Sequence, residues 1–256
     1  MLRLIISFLT LITVLSCNKF DKVMIIGHRG AMGHIAENTI PSINKAMELG
    51  VDGIEIDVFK CKSGELVVFH DERLERLTNS SGFIESLELD SIKNIIVLDK
   101  YRIPTLEEVL QLIDGQVKLN IELKGYGTAS PTNHLINQYT NKGGWTEDKF
   151  IISSFKWDEL EKIRELNMTI PIAVLVNSNV NPIDALPFAK KIKAIAINPY
   201  FKDLNQKNIE KIQSNGLKVF PYTINELDDI ERMIKLGADA IITDYPERVN
   251  KLKGLF

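Results

Sequence analysis

Alternation of apolar and polar side chains is sharpest over residues 53–71, GIEIDVFKCKSGELVVFHD. Side chains on a strand alternate between its two faces, so Ile54, Ile56 and Val58 fall on one side and Glu55 and Asp57 on the other. Lys62-Ser63-Gly64-Glu65 has turn chemistry, and the apolar run 66–69 that follows ends in His70-Asp71, which predicts a β-hairpin. Pairing about Ser63 would bring His70 level with Glu55 and Asp57.

The apolar run 23–26 predicts an earlier strand that stops at Gly27-His28-Arg29-Gly30, where the flanking glycines permit a sharp turn and close approach of a ligand. Pro41 and the amphipathic stretch 42–49 predict a helix closed by Gly50, completing a βαβ unit. Periodicity weakens over residues 72–102, which reads as an excursion over the mouth of the fold. Pro104-Thr105 opens a helix through Ile113, closed by Asp114-Gly115, and residues 117–124 alternate again with Glu122 and Lys124 on one face. Strand-like runs then recur near Phe150, Pro171, Ala194, Leu217 and Ala240, with helical patterns such as 156–167 and 226–236 between them. With the runs at 23, 53 and 117 these make eight parallel strands, and the spacing predicts a TIM (β/α)8 barrel with 66–69 as a short antiparallel hairpin arm after strand 2. A doubly wound open sheet is the alternative, but neither a switch point nor a glycine-rich dinucleotide turn is visible.

The 256 residues are 45% hydrophobic and 25% charged, ordinary globular composition that suits one catalytic domain. A net charge of -3, with no basic run interleaved with aromatics, excludes a nucleic-acid footprint, and no protein partner is indicated. Arg3 precedes an apolar run over residues 4–15 that is too short to span a bilayer comfortably but suits the core of a signal peptide. The run closes on Val14-Leu15-Ser16-Cys17, which resembles the lipobox of bacterial lipoproteins, with Val14 where Leu is usual. A plain secretory signal with an incidental cysteine is the alternative. The resemblance implies a signal peptide over 1–16, lipidation of Cys17, a lipid-anchored linker over 17–22 and a catalytic domain over 23–256, exported and anchored on the periplasmic or cell-surface side of a membrane. Cys61 lies beside the hairpin turn and reads as a small, partly buried residue.

The carboxylates supply the candidate chemistry. Neighbouring Glu55 and Asp57 would repel if buried, and a cation is the cheapest compensation, so they are candidate metal ligands with His70 as a catalytic neighbour. A solvated outer face is the plainer reading of the same pair. In a barrel, chemistry sits at the C-terminal ends of strands, where His28-Arg29, Glu55 with Asp57, Glu122 with Lys124, Ser153-Ser154, Asn198, Tyr222 and Asp244 would converge. Ser153, Ser154, Asn198 and Asp244 suit loop or helix capping equally well.

His28-Arg29-Gly30, Glu37-Asn38-Thr39, Glu55-x-Asp57, His70-Asp71, Ile103-Pro104-Thr105-Leu106-Glu107-Glu108, Glu122-x-Lys124, Ser153-Ser154-Phe155 and the stretch 237–246 together resemble the glycerophosphodiester phosphodiesterase family, from about Ile25 to Pro246. The resemblance implies a TIM barrel that hydrolyses glycerophosphodiesters to glycerol 3-phosphate and an alcohol with a divalent metal. It places the metal ligands on Glu55, Asp57 and Glu122, the catalytic histidines on His28 and His70, and phosphate-contacting cations on Arg29 and Lys124. Three carboxylates suit a hard cation, Ca²⁺ or Mg²⁺, and two imidazoles can act as base and acid near neutrality. Tyr222 stands where the family commonly has a Trp packed against substrate, Ala36 replaces a frequent Pro, and Leu77 a frequent Thr. Two other readings are kept: the same chemistry on lysophospholipids, which apolar residues lining the 72–102 excursion would favour, and a non-catalytic lipoprotein that binds phosphate esters.

Overall fold

Strand and helix alternate through nearly the whole of the computed structural model, which describes residues 19–254. The predicted signal peptide and Cys17 lie outside the described residues. A helical turn, α1 (Lys19–Lys22), leads to β1 (Met24–Gly27), α2 (Ile40–Glu48), β2 (Gly53–Lys60) and β3 (Leu66–Val68). The next segment contains α3 (Leu89–Ile92), β4 (Ile96–Val97) and β5 (Tyr101–Arg102) before α4 (Leu106–Ile113), β6 (Lys118–Leu123) and α5 (Ala129–Lys142). A regular alternation follows through β7 (Phe150–Ser154), α6 (Trp157–Leu166), β8 (Ile172–Val176), α7 (Leu186–Lys191), β9 (Ala196–Pro199) and α8 (Gln206–Gln213). It ends with β10 (Lys218–Val219), α9 (Leu227–Leu236), β11 (Ala240–Thr243) and α10 (Pro246–Lys253).

Eight strands pair in parallel in the order β10-β9-β8-β7-β6-β2-β1-β11. Around the seam between β10 and β11, the Asp239 amide donates to the Val219 carbonyl at 2.9 Å and the Ile224 amide to the Ile242 carbonyl at 2.9 Å. The sheet is therefore the expected TIM barrel, nearly closed. Its strands begin within two residues of the runs read from the sequence.

The period of two is realised in two layers. Ile54, Ile56 and Val58 face outward into the core shared with the helices and are fully buried. The interior is filled low in the barrel by Ile26, Ile151, Ala173, Ala196, Phe220, Ala240 and Ile242. Register then builds the polar upper layer: Asp57 lies beside Glu122, and Glu122 beside Ser153. The arm β3 pairs antiparallel with β2, with Val58 opposite Val68 and Lys60 opposite Leu66. This is the predicted pairing about Ser63, and it continues as the Phe69 amide donates to the Asp57 carbonyl at 3.0 Å, setting His70 at the level of the carboxylates.

The excursion has a core of its own, made by Phe59, Val67 and Phe69 with Leu74, Ile84, Ile92 and Val97. It contains the two-stranded β4-β5 hairpin. Its elements are two to four residues long, too short to register a period. Cys61 is 1% exposed and belongs to this cluster, so it is a fully buried residue and not the partly buried one its place beside a turn suggested.

Candidate active site

The loop after β1 is bent by backbone geometry. Gly30 has φ 85°, and a Cβ there would lie 2.5 Å from the Ser42 hydroxyl, so only glycine fits. Arg29 itself has φ 51°, a left-handed conformation that costs a non-glycine residue about 1–2 kcal/mol. The bend aims the Arg29 amide at Glu55, to which it donates at 2.9 Å. The guanidinium turns back over the carboxylates, with Nε 3.4 Å from Asp57 and Nη1 2.7 Å from Glu37.

Glu55, Asp57 and Glu122 each offer an oxygen to a cluster within 4.8 Å, and all three residues are buried. Lys124, one pleat beyond Glu122, donates to Glu122 at 2.8 Å and lies 3.7 Å from Asp57. Asn38 clamps Asp57 by donating Nδ2 to its carboxylate at 2.8 Å and accepting its backbone amide at 3.2 Å. Burial, then the like charges of Asp57 and Glu122, hold the Glu55 carboxyl well above the ordinary carboxylate range. Burial and Asp57 likewise push Glu122 up to about 7, against the opposing pull of Lys124. Burial lowers Arg29 and Lys124, but the carboxylates around them outweigh it and raise both. Glu55 Oε1 and Arg29 Nε are buried with no hydrogen-bond partner.

Each candidate histidine is held by an aspartate through Nδ1: His28 by Asp244 at 2.7 Å and His70 by Asp71 at 2.6 Å. A carboxylate on Nδ1 favours the tautomer with its proton there and leaves Nε2 for the site. His28 Nε2 is 4.0 Å from Glu55. Asn225 donates to Asp244 at 2.6 Å, and Arg76 bridges Asp71 at 2.9 Å and Glu37 at 2.8 Å. Burial would raise the Asp71 carboxyl, but hydrogen bonds from Arg76 and His70 bring it down to about 2. Burial, with Arg29 and Lys124 nearby, lowers His70 against the pull of Asp57.

Two cavities meet here. An inner one of about 150 Å³ reaches into the barrel and is lined by His28, Glu55 and Glu122 above, Asn120, Ser153 and Asn198 below. Asn120 Oδ1, Ser153 Oγ and both polar atoms of Asn198 are buried and unpartnered, an arrangement that demands a polar occupant. The outer one is an open groove of about 710 Å³ lined mostly by charged side chains, among them Asp71 and, from the excursion, Glu72, Arg73 and Arg76, with Phe59, Leu123 and Phe155 beside them. His70, Glu122, Lys124 and Phe155 line both.

The structure thus brings His28, Arg29, Glu55, Asp57, His70, Glu122, Lys124 and Tyr222 to one end of the barrel. Tyr222 donates its hydroxyl to the Val176 carbonyl at 2.7 Å and presents its ring to the inner cavity, edge-on to Phe155 at 5.8 Å. Of the residues left open, Ser153, Asn198 and Asp244 join the site, whereas Ser154 faces away and accepts the Lys156 amide at 2.9 Å. The clamps made by Glu37, Asn38, Asn225 and Arg76 were not read from the sequence. Their only signal was the Glu37-Asn38-Thr39 motif, since Asn225 and Arg76 reach the site through tertiary folding alone.

Comparison with known proteins agrees with this geometry. A glycerophosphodiester phosphodiesterase of Caldanaerobacter subterraneus subsp. tengcongensis is 36% identical over 244 residues, covering 90% of this chain and 98% of the relative. One from Bacillus subtilis is 31% identical over 260 residues, covering 91% and 87%. Among solved structures, an Oleispira antarctica phosphodiesterase in complex with the product sn-glycerol-3-phosphate superposes with a TM-score of 0.82 at 26% identity, covering 92% of this chain and 99% of the other. Residues 28–248 match the model of one family. With the two Asp-held histidines, the carboxylate cluster and the barrel that positions them, the match establishes that this chain belongs to the glycerophosphoryl diester phosphodiesterase family.

Proposed function

We propose that the chain hydrolyses soluble glycerophosphodiesters to glycerol 3-phosphate and an alcohol. The observation that carries this reading is the meeting of a confined polar cavity and an open charged groove at three carboxylates and two Asp-held imidazoles. Glycerol has the size and hydroxyl content to fill the inner cavity and satisfy Asn120, Ser153 and Asn198. The outer groove then receives the alcohol that leaves. Charged residues line it while Leu74, Ile84, Ile92 and Val97 of the excursion point into their own core, which suits a polar headgroup better than an acyl chain.

Glu55, Asp57 and Glu122 suit a divalent cation on their own chemistry. They are hard oxygen donors of the kind Ca²⁺ and Mg²⁺ take, and Glu55 Oε1 is a buried acceptor without a partner. When bound, such an ion supplies neutralisation of the phosphate charge and polarisation of a phosphoryl oxygen. Arg29 and Lys124 flank the same point and hold phosphate oxygens. His28, which lines only the inner cavity, takes the proton of the glycerol 2-hydroxyl as that oxygen attacks phosphorus. His70, at the junction with the groove, gives a proton to the departing alcohol oxygen as the P–O bond breaks. The 2,3-cyclic phosphate is opened by water in the reverse sense: His70 accepts the water proton and His28 returns one to the 2-oxygen. We infer further that residues 1–16 direct export and that Cys17 carries a lipid, which mass spectrometry of the membrane-extracted protein tests directly.

The experiment that tests the activity is release of glycerol 3-phosphate from glycerophosphocholine and glycerophosphoethanolamine, in parallel with a lysophospholipid, each with added Ca²⁺ or Mg²⁺ and with EDTA. Metal-dependent turnover of the soluble diesters is expected. Cleavage of the lysophospholipid alone overturns the substrate reading, and binding without turnover of any of them overturns the catalytic one.

A further inference from the structure

We propose that the end of the barrel opposite the active-site mouth is a docking surface for an anionic lipid bilayer, so that the tethered enzyme opens toward water. The proposal takes its tether from the reading of Cys17 above. Its geometry comes from where the described chain begins. Helix α1 packs on α9 and α10 beside Val23, at the N-terminal end of β1, with Phe20 against the main core. Cys17 precedes Lys19 by two residues, a reach of at most about 7 Å. The catalytic carboxylates lie toward the other end of the strands, Asp57 being four residues up β2 from Gly53, about 13 Å along the strand. The described chain therefore begins at the closed end of the barrel, away from the mouth, and the proposed lipid would tether that end.

The surface at that end has the chemistry of a partner for anionic headgroups. A groove of about 430 Å³ beside Val23 is lined by Lys22, Lys118, Lys149 and Lys253, with Asp52 as its one carboxylate. Lys193 and Lys218 extend the basic surface around the rim and are exposed. Lysines in the last turns of α5, α7, α8, α9 and α10 also point this way, where they complement helix dipoles. Lys118 and Lys218 stand at the starts of strands and have no helix end to complement, although Lys118 donates to the Asp148 carbonyl, and Lys149 closes a short 3-10 turn before β7. Of the carboxylates here, Asp52 accepts the Ile25 amide at 2.8 Å and Asp239 the Val219 amide at 2.9 Å, while exposed Asp148 pairs with Lys118 at 3.8 Å, and Lys253 is committed to the Val23 carbonyl at 2.6 Å. The whole chain is at -3, so concentrating cations at one end leaves the mouth acidic, which would repel the same bilayer. Leu166 and Met168, 45% and 62% exposed at the α6 to β8 turn, add apolar contact at the basic end. Of the exposed apolar side chains nearer the mouth, Phe83 lies under Arg73 at 4.8 Å and Tyr126 under Lys156 at 4.4 Å, while Leu98, Val180 and Leu227 are exposed without a cation over them.

The test uses the full-length chain reconstituted into phosphatidylglycerol–phosphatidylcholine vesicles containing a spin-labelled quencher lipid. Single cysteines replace Met168 or Lys193 at the basic end and Leu98 or Tyr126 near the mouth, each carrying a fluorophore, while buried Cys61 stays unlabelled. Lipid quenching of the first two positions and not of the last two is expected. Replacing Lys22, Lys149, Lys193 and Lys218 together by Gln should lower affinity for the anionic vesicles by roughly 10²- to 10³-fold, since each basic residue at such a surface contributes about 1 kcal/mol. Hydrolysis of a soluble diester should be unchanged in that variant. Quenching near the mouth, or equal quenching at all four positions, overturns the orientation. An unmodified N-terminus by mass spectrometry removes the tether alone. Docking is then judged by whether the same chain prefers phosphatidylglycerol over pure phosphatidylcholine vesicles, and no preference overturns it. None of these readouts requires turnover, so they stand apart from the phosphodiesterase reading.

Discussion

Single residues decide the chemistry here, and their neighbours decide their charge. His28→Ala or His70→Ala should lower kcat at least ~10²-fold, the low end for loss of a general acid or base; near-normal turnover in either would remove that residue from the mechanism. Asp244→Asn leaves His28 in place but takes away the carboxylate on its Nδ1. The variant should show a lower kcat with KM little changed. An unchanged kcat would mean that Asp244 is only a loop residue. The carboxylate cluster gives a stability test whose sign follows from linkage. Glu122 rises from an ordinary 4.5 to about 7 on folding, and Glu55 is raised too, so the native state binds more protons than the unfolded chain across that window. Stability in EDTA should therefore fall as pH rises from about 4.5 to 7, and Ca²⁺ or Mg²⁺ should restore it. Thermal melts with and without chelator check this, and a flat EDTA profile would mean that the repulsion is relieved by other means. Asp71 acts in the opposite sense. Held at about 2 against an ordinary 3.8, it contributes fully above the higher value and loses that contribution as pH falls through the lower.

Elements explain why these residues meet. The sequence marked α4 well because its start is chemical: Thr105 accepts the Glu108 amide at 3.1 Å and Glu108 reaches back to the Thr105 amide at 2.7 Å, a closed capping box. Thr105→Ala should cost about 1 kcal/mol, within the 0.5–2 range for such caps, read as a shift in denaturant midpoint with unchanged slope. Gly30→Ala should do more damage, because the added Cβ meets Ser42 and the backbone at φ 85° is strained for any other residue. Its signature would be joint loss of stability and activity, since the same bend aims the Arg29 amide at Glu55. The 72–102 excursion was legible only as a break in periodicity. Its side chains pack on Phe59, Val67 and Phe69 from the hairpin, partners no local pattern announces.

At the scale of the whole molecule, one barrel end holds two adjoining spaces of different kind, and the proposed function divides the substrate between them. Enlarging the alcohol that leaves should change kcat/KM little, because the 710 Å³ groove is open. Enlarging the retained glycerol should reduce it steeply, because the inner cavity holds only about 150 Å³ between the barrel floor and the carboxylates. Comparing glycerophosphocholine with glycerophosphoinositol on one side, and with diesters of larger polyols on the other, measures this asymmetry; equal sensitivity on both sides would place glycerol in the groove. Charge is divided at this scale as well, with the carboxylate cluster at one end and the lysine groove at the other.

The sequence by itself determined the strand and helix rhythm, the face on which Glu55 and Asp57 stand, and the hairpin register that returns His70 to their level. Each is a local property, because a period of two, a turn centre and a cap act within a few residues. It also supplied the candidate set, since those motifs fall at strand ends. Only the tertiary structure decided that Asp57, Glu122 and Ser153 lie side by side, that Asp244 holds His28 from 216 residues away, and that Asn120, Ser153 and Asn198 floor a cavity without partners of their own. These contacts join strands far apart in the chain, and it is barrel closure, not any local pattern, that brings such pairs within hydrogen-bonding reach.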